Sequence, residues 1–155
     1  MLRLKILTST IPLILAGVFA RGELWPAKRP CIAIGETSAQ IAANPRQTQF
    51  NVSFTSDPAM ATVRVQIVDT AEAADFAYAD DVDGTEADAC EVTAATRLIG
   101  IAEKPSAAGP VIYLSPGGDA DYRIYVQSNR FTAREAAALI VGAGAPPARM
   151  AAAGS

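Results

Sequence analysis

Alternation of apolar and polar residues constrains the fold of this chain more than any other feature. From Val63 to Ile67, and again from Phe76 to Ala79, every second residue is a large apolar or aromatic one. A period of two residues is typical of a strand with one buried and one solvated face. The two runs are separated by a short segment rich in alanine, so we predict two strands joined by a connector.

Further strands are predicted on both sides of this central pair. The segments that carry strand signals are Phe50–Thr55, Arg97–Ala102, Val111–Ser115 and Tyr122–Gln127. Because apolar residues alternate with polar ones in most of them, we expect antiparallel strands that are covered on one side only. The predicted class is therefore α+β, with an antiparallel sheet and a C-terminal helix packed on one face.

The covering helix has the clearest local signal in the chain. Thr132 and Glu135 have the spacing of a capping box, and Phe131 stands where a hydrophobic staple would lie. The helix should run to about Val141 and stop at Gly142 or Gly144. Its covering stripe, at positions i, i+3 and i+4, consists of Ala136, Leu139 and Ile140.

Two shorter helical segments are also predicted. Asp57 followed by Pro58 resembles an N-cap with proline at the first helical position, which favours a helical turn over 58–60. Thr37 and Gln40 also have the capping-box spacing, which predicts a short helix over 38–43.

Residues 1–20 have the pattern of an export signal. Arg3 and Lys5 precede a run of apolar residues over 6–20, which is short for a membrane span of about 20 residues. The alternative is an uncleaved anchor in the inner membrane. We thus divide the chain into the signal, and then an N-terminal segment, a single domain and a flexible tail at 21–48, 49–144 and 145–155. We expect a periplasmic or secreted location.

The two cysteines, Cys31 and Cys90, can form one intramolecular disulfide. An oxidising compartment would preserve this bond, and closing a loop of about 60 residues would contribute roughly 4 kcal/mol in the chain-entropy description. The alternative is a pair of unpaired, buried thiols.

Composition narrows the function. The 155 residues carry a formal charge of −3 and no histidine. A mildly acidic chain is poorly suited to nucleic acid, which is bound through clustered lysine and arginine. Without histidine the chain lacks the commonest general base and the commonest metal ligand. We predict no cofactor, no metal site and no catalytic residue, and we expect a non-enzymatic protein.

Strand-end aspartates are the basis of an alternative function, a small hydrolase or metal-dependent enzyme. Hydrolysis by two carboxylates needs one protonated and one ionised group at a set separation, and the candidates are Asp69, Asp75, Asp80 and Asp81. Asp81 and Asp83 also begin like a calcium loop, but the glycine comes too early and the twelfth position is Val92.

The glycine-bearing segment Ser115–Asp119 is a second candidate for a ligand contact. It lacks the glycine patterns that hold phosphate, and the following element is predicted to be a strand. A hairpin turn is the alternative that we favour.

A possible partner surface lies on the polar side of two strands. Arginine and tyrosine are enriched where proteins bind proteins, and the polar side carries Arg64, Gln66, Arg123, Tyr125 and Gln127. The alternative is an ordinary solvated face.

An internal duplication is a further hypothesis. With an offset of 46 residues, Asp75 falls on Asp121 and Phe76 falls on Tyr122. Residues 50–90 and 97–139 would then be two similar three-strand units. The alternative is two ordinary hairpins with similar turns.

The segments VQIVDTAEAADFAYADD, VIYLSPGGDADYRIYV and FTAREAAALIVG resemble small, uncharacterised exported proteins of Gram-negative bacteria. This resemblance covers most of the chain after the signal and implies no activity. Together these observations predict a periplasmic module that binds another protein or an envelope component, with contact to the membrane only through an uncleaved signal.

Overall fold

The computed structural model describes residues 29–79, 92–129 and 132–144, which form eight strands, an α-helix and three 3-10 helices. The strands are β1 (Cys31–Ile34), β2 (Thr37–Ile41), β3 (Phe50–Thr55), β4 (Val63–Ile67), β5 (Phe76–Ala79), β6 (Arg97–Ala102), β7 (Val111–Ser115) and β8 (Tyr122–Gln127). The helix α1 is Ala133–Ala143, and the 3-10 helices are Pro45–Gln47, Pro58–Met60 and Ala71–Ala73.

All eight strands belong to a single sheet with the order β1-β2-β6-β3-β7-β4-β8-β5, curved into a half-barrel. Only the pair β1–β2 is antiparallel, and each of the other neighbouring pairs is parallel. The prediction of an antiparallel sheet is therefore wrong, although the predicted strand segments and the single covering helix are present.

The parallel part of the sheet is made of two interleaved groups of strands. We call β2–β5 the first strand set and β6–β8 the second strand set. Their strands alternate across the sheet, so that every strand between β2 and β5 lies beside strands of the other set. The predicted three-strand units are thus not side-by-side bodies, because β3, β4 and β5 are separated from one another by β7 and β8.

A steep stagger of the strands explains how short connectors can join parallel strands. Phe54, near the end of β3, lies opposite Ile112, which lies opposite Val63 at the start of β4. Likewise Ile124 of β8 lies opposite Ile67 at the end of β4 and also opposite Phe76, the first residue of β5. Each connector therefore only steps sideways over one strand, about 10 Å, and does not have to return along the sheet. Crossovers that do return need a dozen or more residues.

The first strand set is regularly spaced along the chain. Its strands begin 13 residues apart, at Thr37, Phe50, Val63 and Phe76. Each connector contains a 3-10 helix, and the residues before these helices are Asn44, Asp57 and Thr70. The helical turn predicted at 58–60 is confirmed, whereas the helix predicted at 38–43 is wrong, because that segment forms β2.

Helix α1 lies against the apolar face of the sheet. The strands place Val52, Val65, Ile99, Ile112 and Ile124 on this face, where each is at most 1 % exposed. The predicted capping box is confirmed, and Gly144 ends the helix with a φ of 73°. Burial is not limited to one stripe, because the whole segment from Ala136 to Ala143 is buried. A helix that is apolar on all sides is suited to such a position.

A close approach of α1 to β6 holds the end of the helix in place. A Cβ atom at Gly142 would lie 2.6 Å from Cδ1 of Ile99, so only glycine fits without displacement. Beside it, the Arg97 guanidinium donates a hydrogen bond of 2.9 Å to the carbonyl oxygen of Gly142. A positive charge at the C-terminal end of a helix also favours the helix dipole.

Several predicted features concern residues outside the described ranges. They are the export signal, the flexible tail, the hydrophobic staple at Phe131 and the acidic loop with Asp80, Asp81 and Asp83. The sheet itself begins at Cys31, within the segment 21–48 that we predicted to precede the domain.

Candidate functional site

The residues predicted to form a partner surface lie on adjacent strands of the sheet. Arg64 and Gln66 belong to β4, which is paired with β8, and Gln66 lies directly opposite Arg123. Because side chains alternate along a strand, Tyr125 and Gln127 share the face of Arg123. This is the face opposite α1, since Val65 and Ile124 between them point into the core.

Tyr113 of β7 extends this surface, although it was not among the residues predicted from the sequence. Tyr113 lies opposite Arg64 in the parallel pairing of β4 with β7. Ile112 is fully buried and Leu114 packs against the core, so the ring of Tyr113 projects to the polar side. We call Arg64, Gln66, Tyr113, Arg123, Tyr125 and Gln127 the polar face.

Arg123 is held in place by Asp75, which precedes β5. The guanidinium Nη2 atom lies 3.1 Å from Oδ1 of Asp75, and Oδ2 of the same carboxylate accepts a hydrogen bond of 2.7 Å from the backbone N–H of Arg123. The Arg123 side chain remains 52 % exposed, compared with 18 % for Asp75. The contact therefore orients the arginine and leaves it accessible.

The role of Asp75 becomes clear from the equivalent positions of the first strand set. Gln49, Thr62 and Asp75 each precede a strand, and each accepts, through its side chain, a hydrogen bond from a backbone N–H of the second strand set. Each also donates its own backbone N–H to the carbonyl oxygen of the same partner residue, which is Leu98, Val111 and Arg123 respectively. We call this pair of bonds the strand bracket.

Asp121 makes the same strand bracket from the second set. Its backbone N–H donates to the carbonyl oxygen of Arg64, and its Oδ2 accepts from the backbone N–H of Arg64, both at 2.8 Å. Because glutamine and threonine occupy the equivalent positions 49 and 62, the bracket needs a hydrogen-bond acceptor and not a carboxylate. Asp75 and Asp121 thus have a structural role in the sheet.

Arg64 differs from Arg123 in having no such anchor. Its side chain is exposed, and among the residues that the structure describes its guanidinium has no ion-pair partner. On the other side of Arg123, the Tyr125 hydroxyl lies 2.6 Å from Oε1 of Gln127 and can donate to it. The polar face therefore combines an accessible cation with side chains that are already oriented.

Of the remaining predicted aspartates, only Asp69 lies in the described ranges. Asp69 is exposed after the end of β4, and Asp80 and Asp81 lie outside those ranges. Within 29–79, 92–129 and 132–144, no group of three acidic or cysteine side chains could hold a metal ion.

The segment Ser115–Asp119 forms a turn stabilised by its own serine. The Ser115 hydroxyl donates a hydrogen bond of 2.6 Å to the carbonyl oxygen of Gly117 and accepts one of 3.3 Å from its N–H. Gly118 has a φ of 87°, which few other residues adopt. The hydroxyl is thus engaged locally, as in other serine turns.

A groove of about 1040 Å³ is lined by residues of β3, β6 and the connectors that follow β2 and β6, and its lining contains no residue of the polar face. Its small residues have a structural explanation. A Cβ atom at Gly100 would collide with Asn51 and Thr48, and one at Gly109 would collide with the backbone of Asn51. These glycines allow the connectors to cross the strands closely.

Two tyrosines on the apolar side serve the core. Burial raises the pKa of Tyr78 above its ordinary value of 10.0. Burial, together with the negative charge of Asp121, also raises the pKa of Tyr122, whose ring centroid lies 6.2 Å from that of Phe76. Both phenols therefore stay protonated at neutral pH and are unsuited to act as bases.

Cys31 is buried in β1, 6 % exposed, and is not a free thiol. Cys90 lies outside the described residues, so its pairing with Cys31 stays a prediction. No helix within the described ranges is both long and apolar enough to cross a membrane.

Comparison of the chain with family models, curated proteins and solved structures gives no match. The resemblance to small exported proteins therefore also stays a prediction, and the function has to be inferred from the site itself.

Proposed function

We propose that the protein is an exported, non-enzymatic module that binds another protein or an envelope component through its polar face. The observation that carries this proposal is the position of Arg64, Arg123 and Tyr125 on one side of two paired strands. The opposite side of the same strands is filled by the core, so the polar face is the side available to a partner.

The composition of the polar face suits a protein partner. Arginine and tyrosine dominate the residues whose loss weakens interfaces most, because each combines a large contact area with directed hydrogen bonds. Arg123 is oriented by Asp75, and the hydroxyl of Tyr125 is oriented by Gln127. Side chains that are ordered before binding lose less conformational entropy on association.

The strand bracket favours binding over hydrolysis. A carboxylate pair that included Asp75 or Asp121 would need that carboxylate to face a bound substrate. Both carboxylates are instead used by strand N–H groups at 2.7–2.8 Å. We therefore prefer the binding function to the alternative of a small aspartate hydrolase.

Export and the disulfide belong to the same proposal. The predicted signal over residues 1–20 and the buried position of Cys31 are consistent with an oxidising compartment. The intact mass of the protein recovered from the envelope would report both, because signal cleavage shortens the chain and a disulfide removes two hydrogens.

The binding function can be tested by capture followed by measurement. The purified protein is immobilised, partners are captured from an envelope extract, and the affinity of each purified partner is then measured for variants. We expect Arg64→Ala combined with Tyr125→Ala to raise the Kd at least about tenfold, which corresponds to 1.4 kcal/mol. Thermal melting should show that the double variant is folded.

Arg46→Ala is the matched control, because Arg46 is an exposed arginine in the connector between β2 and β3. It should leave the Kd unchanged. Equal losses for the control and the double variant would place the contact elsewhere. A Kd that is unaffected by the double variant would contradict the proposal.

A further inference from the structure

We propose that two copies of this chain can exchange their strand sets and form an intertwined dimer. In this dimer the first strand set of each copy interleaves with the second strand set and α1 of the other copy. The partner is thus a second copy of the chain, and the interaction surface is the whole inter-set sheet. This inference is independent of the proposed binding function.

Pairing within the sheet carries the proposal. In the described residues, no strand of the first set pairs with another strand of that set, and the same holds for the second set. Apart from the hairpin of β1 and β2, each half of the chain obtains its strand hydrogen bonds from the other half. Neither half can form this sheet alone, because a strand without a neighbour leaves its N–H and C=O groups unpaired.

The core leads to the same conclusion. Helix α1 follows the second set in the chain, yet it packs against β1, β2 and β3 as well as against β6, β7 and β8. The fully buried side chains also come from both halves, with Val52 and Val65 from the first set and Ile99, Ile112 and Ile124 from the second. Folding therefore brings two incomplete halves together.

Side-chain contacts between the sets would form equally well between two copies. They include the strand brackets of Asp75 and Asp121 and the hydrogen bond of 2.8 Å between the Ser38 and Thr96 hydroxyls. An exchanged dimer repeats each of these contacts twice. The two forms differ only in which copy supplies each of the sets that interleave.

Protein concentration should therefore decide between the two forms. Because the two sets of one chain are covalently joined, their effective concentration is in the millimolar range, which favours the monomer in dilute solution. When chains fold at a protein concentration that is also in the millimolar range, exchange of identical elements between them is a low-cost route to a dimer. We expect the dimer to form during folding at high protein concentration.

Complementation between full-length variants tests the exchange. Val65→Pro damages the first set and Ile124→Pro damages the second, because each removes a strand N–H at a residue that is 0 % exposed. Each variant alone should lose its folded β signal. When both are co-expressed with different tags, exchange can build one intact module from the two undamaged sets.

The expected product is a soluble species with the mass of two chains that carries both tags. Its β signal in circular dichroism should be half that of the unmodified protein per chain. The matched control is the pair Val52→Pro and Val65→Pro, in which both changes lie in the first set, so that exchange cannot restore a module. Failure of the first pair to co-purify, or equal rescue of the control pair, would overturn the proposal.

Refolding of the unmodified chain gives a second measurement that does not depend on how the variants fold. The protein is refolded from denaturant over a range of concentrations up to millimolar, and its mass is measured by light scattering. We expect the dimer fraction to rise with concentration. A monomer at every concentration would overturn the proposal.

Discussion

The first and second strand sets contribute alternate strands to one sheet, but they differ in their connectors and in the spacing of their strands along the chain. The first set has connectors of seven or eight residues, each with a 3-10 helix, and strands that begin every 13 residues. The second set begins its strands at Arg97, Val111 and Tyr122, so its spacing is irregular. The connector before β8 has six residues and turns at Gly118.

The difference shows which features the architecture requires. The connector can vary in length and shape because it only has to cross one strand. Two features remain constant in both sets, the steep stagger and the apolar residue at every second position. The sets also differ in what they bury, since the second set supplies Ile99, Ile112 and Ile124 and is followed by the buried helix α1, whereas the first supplies Ala39, Val52 and Val65. We therefore expect changes in the second set to cost more stability.

The largest effect should come from the helix that follows the second set. Leu139 is 0 % exposed, so Leu139→Asp places a carboxylate in the core without a partner. We expect a loss of at least about 4 kcal/mol, a large part of the 5–15 kcal/mol of a typical domain. Thermal melting measures the effect, and the control Leu139→Met should cost less than about 1.5 kcal/mol. Unchanged stability of Leu139→Asp would contradict the docking of α1.

A pair of core truncations compares the two sets directly. Ile112 and Val65 are both 0 % exposed and lie on neighbouring strands. Ile112→Ala should cost about 2–5 kcal/mol in chemical denaturation. Val65→Ala removes one carbon fewer and should cost less by about 0.8 kcal/mol. A greater loss for Val65→Ala would mean that the first set is the more sensitive one.

The contact between α1 and β6 is tested by adding a single methyl group. Gly142→Ala would place its Cβ 2.6–2.9 Å from the side chain of Ile99, so we expect a loss of about 1–3 kcal/mol from overpacking. Gly117→Ala is the control, because a Cβ there meets open space. Equal melting temperatures for the two variants would show that the helix does not approach β6 so closely.

The strand brackets should contribute similar amounts in both sets. Asp75→Ala and Asp121→Ala each remove the acceptor of one strand N–H, and we expect a loss of about 0.5–1.5 kcal/mol for each. The ion pair of Asp75 with the exposed Arg123 should add little, because solvent screens it. Stability measured in urea, at low and high salt, checks both points. A loss in only one of the two variants would show that the brackets are not equivalent.

The smallest effects should come from the caps of the 3-10 helices in the first set. The Asp57 carboxylate accepts a hydrogen bond of 2.9 Å from the N–H of Ala59, whereas Thr70 makes no side-chain cap. Asp57→Ala should therefore cost about 0.5–1 kcal/mol, and Thr70→Ala close to nothing. If the two changes cost the same, the cap at Asp57 would have no part in stability.

Local structure could be predicted from the sequence because its causes are local. The alternation of apolar residues predicted the strands of both sets except β2, and the capping box of Thr132 and Glu135 predicted the start of α1. The direction of pairing could not be predicted in this way. Connectors of six to eight residues are typical of antiparallel neighbours, since a returning parallel crossover is longer. The stagger that removes this requirement is a long-range property of the sheet.

A signal for the parallel arrangement is nevertheless present in the sequence. Asn44, Asp57 and Thr70 recur every 13 residues, each just before a 3-10 helix. Equal spacing of strands and turns indicates that each strand is connected to the next by a crossover of the same length. A series of hairpins does not require such regular spacing. The offset of 46 residues did align Asp75 with Asp121, the two residues that make equivalent strand brackets. Whether this likeness comes from duplication stays a hypothesis, which superposition of the two strand sets would test.

Part of the candidate site could also be predicted, because the side of a strand on which a residue lies is a local property. Alternation is enough to assign Arg64 and Tyr125 to the polar side of their strands. Tyr113 was missed because nothing local indicates that β7 lies between β3 and β4. The structural role of Asp75, which was considered only as a candidate for the alternative hydrolase, could not be predicted because its hydrogen bonds reach a strand 48 positions away in the chain.

Contacts of β4 measured by nuclear magnetic resonance test the interleaved parallel sheet most directly. Val65 lies opposite Leu114 on one side and Tyr122 on the other. Backbone proton contacts should therefore connect Val65 with β7 and β8, in the pattern of parallel strands. Contacts of β4 with β3 or β5 in an antiparallel pattern would contradict the interleaved arrangement, and the polar face defined by it would have to be abandoned.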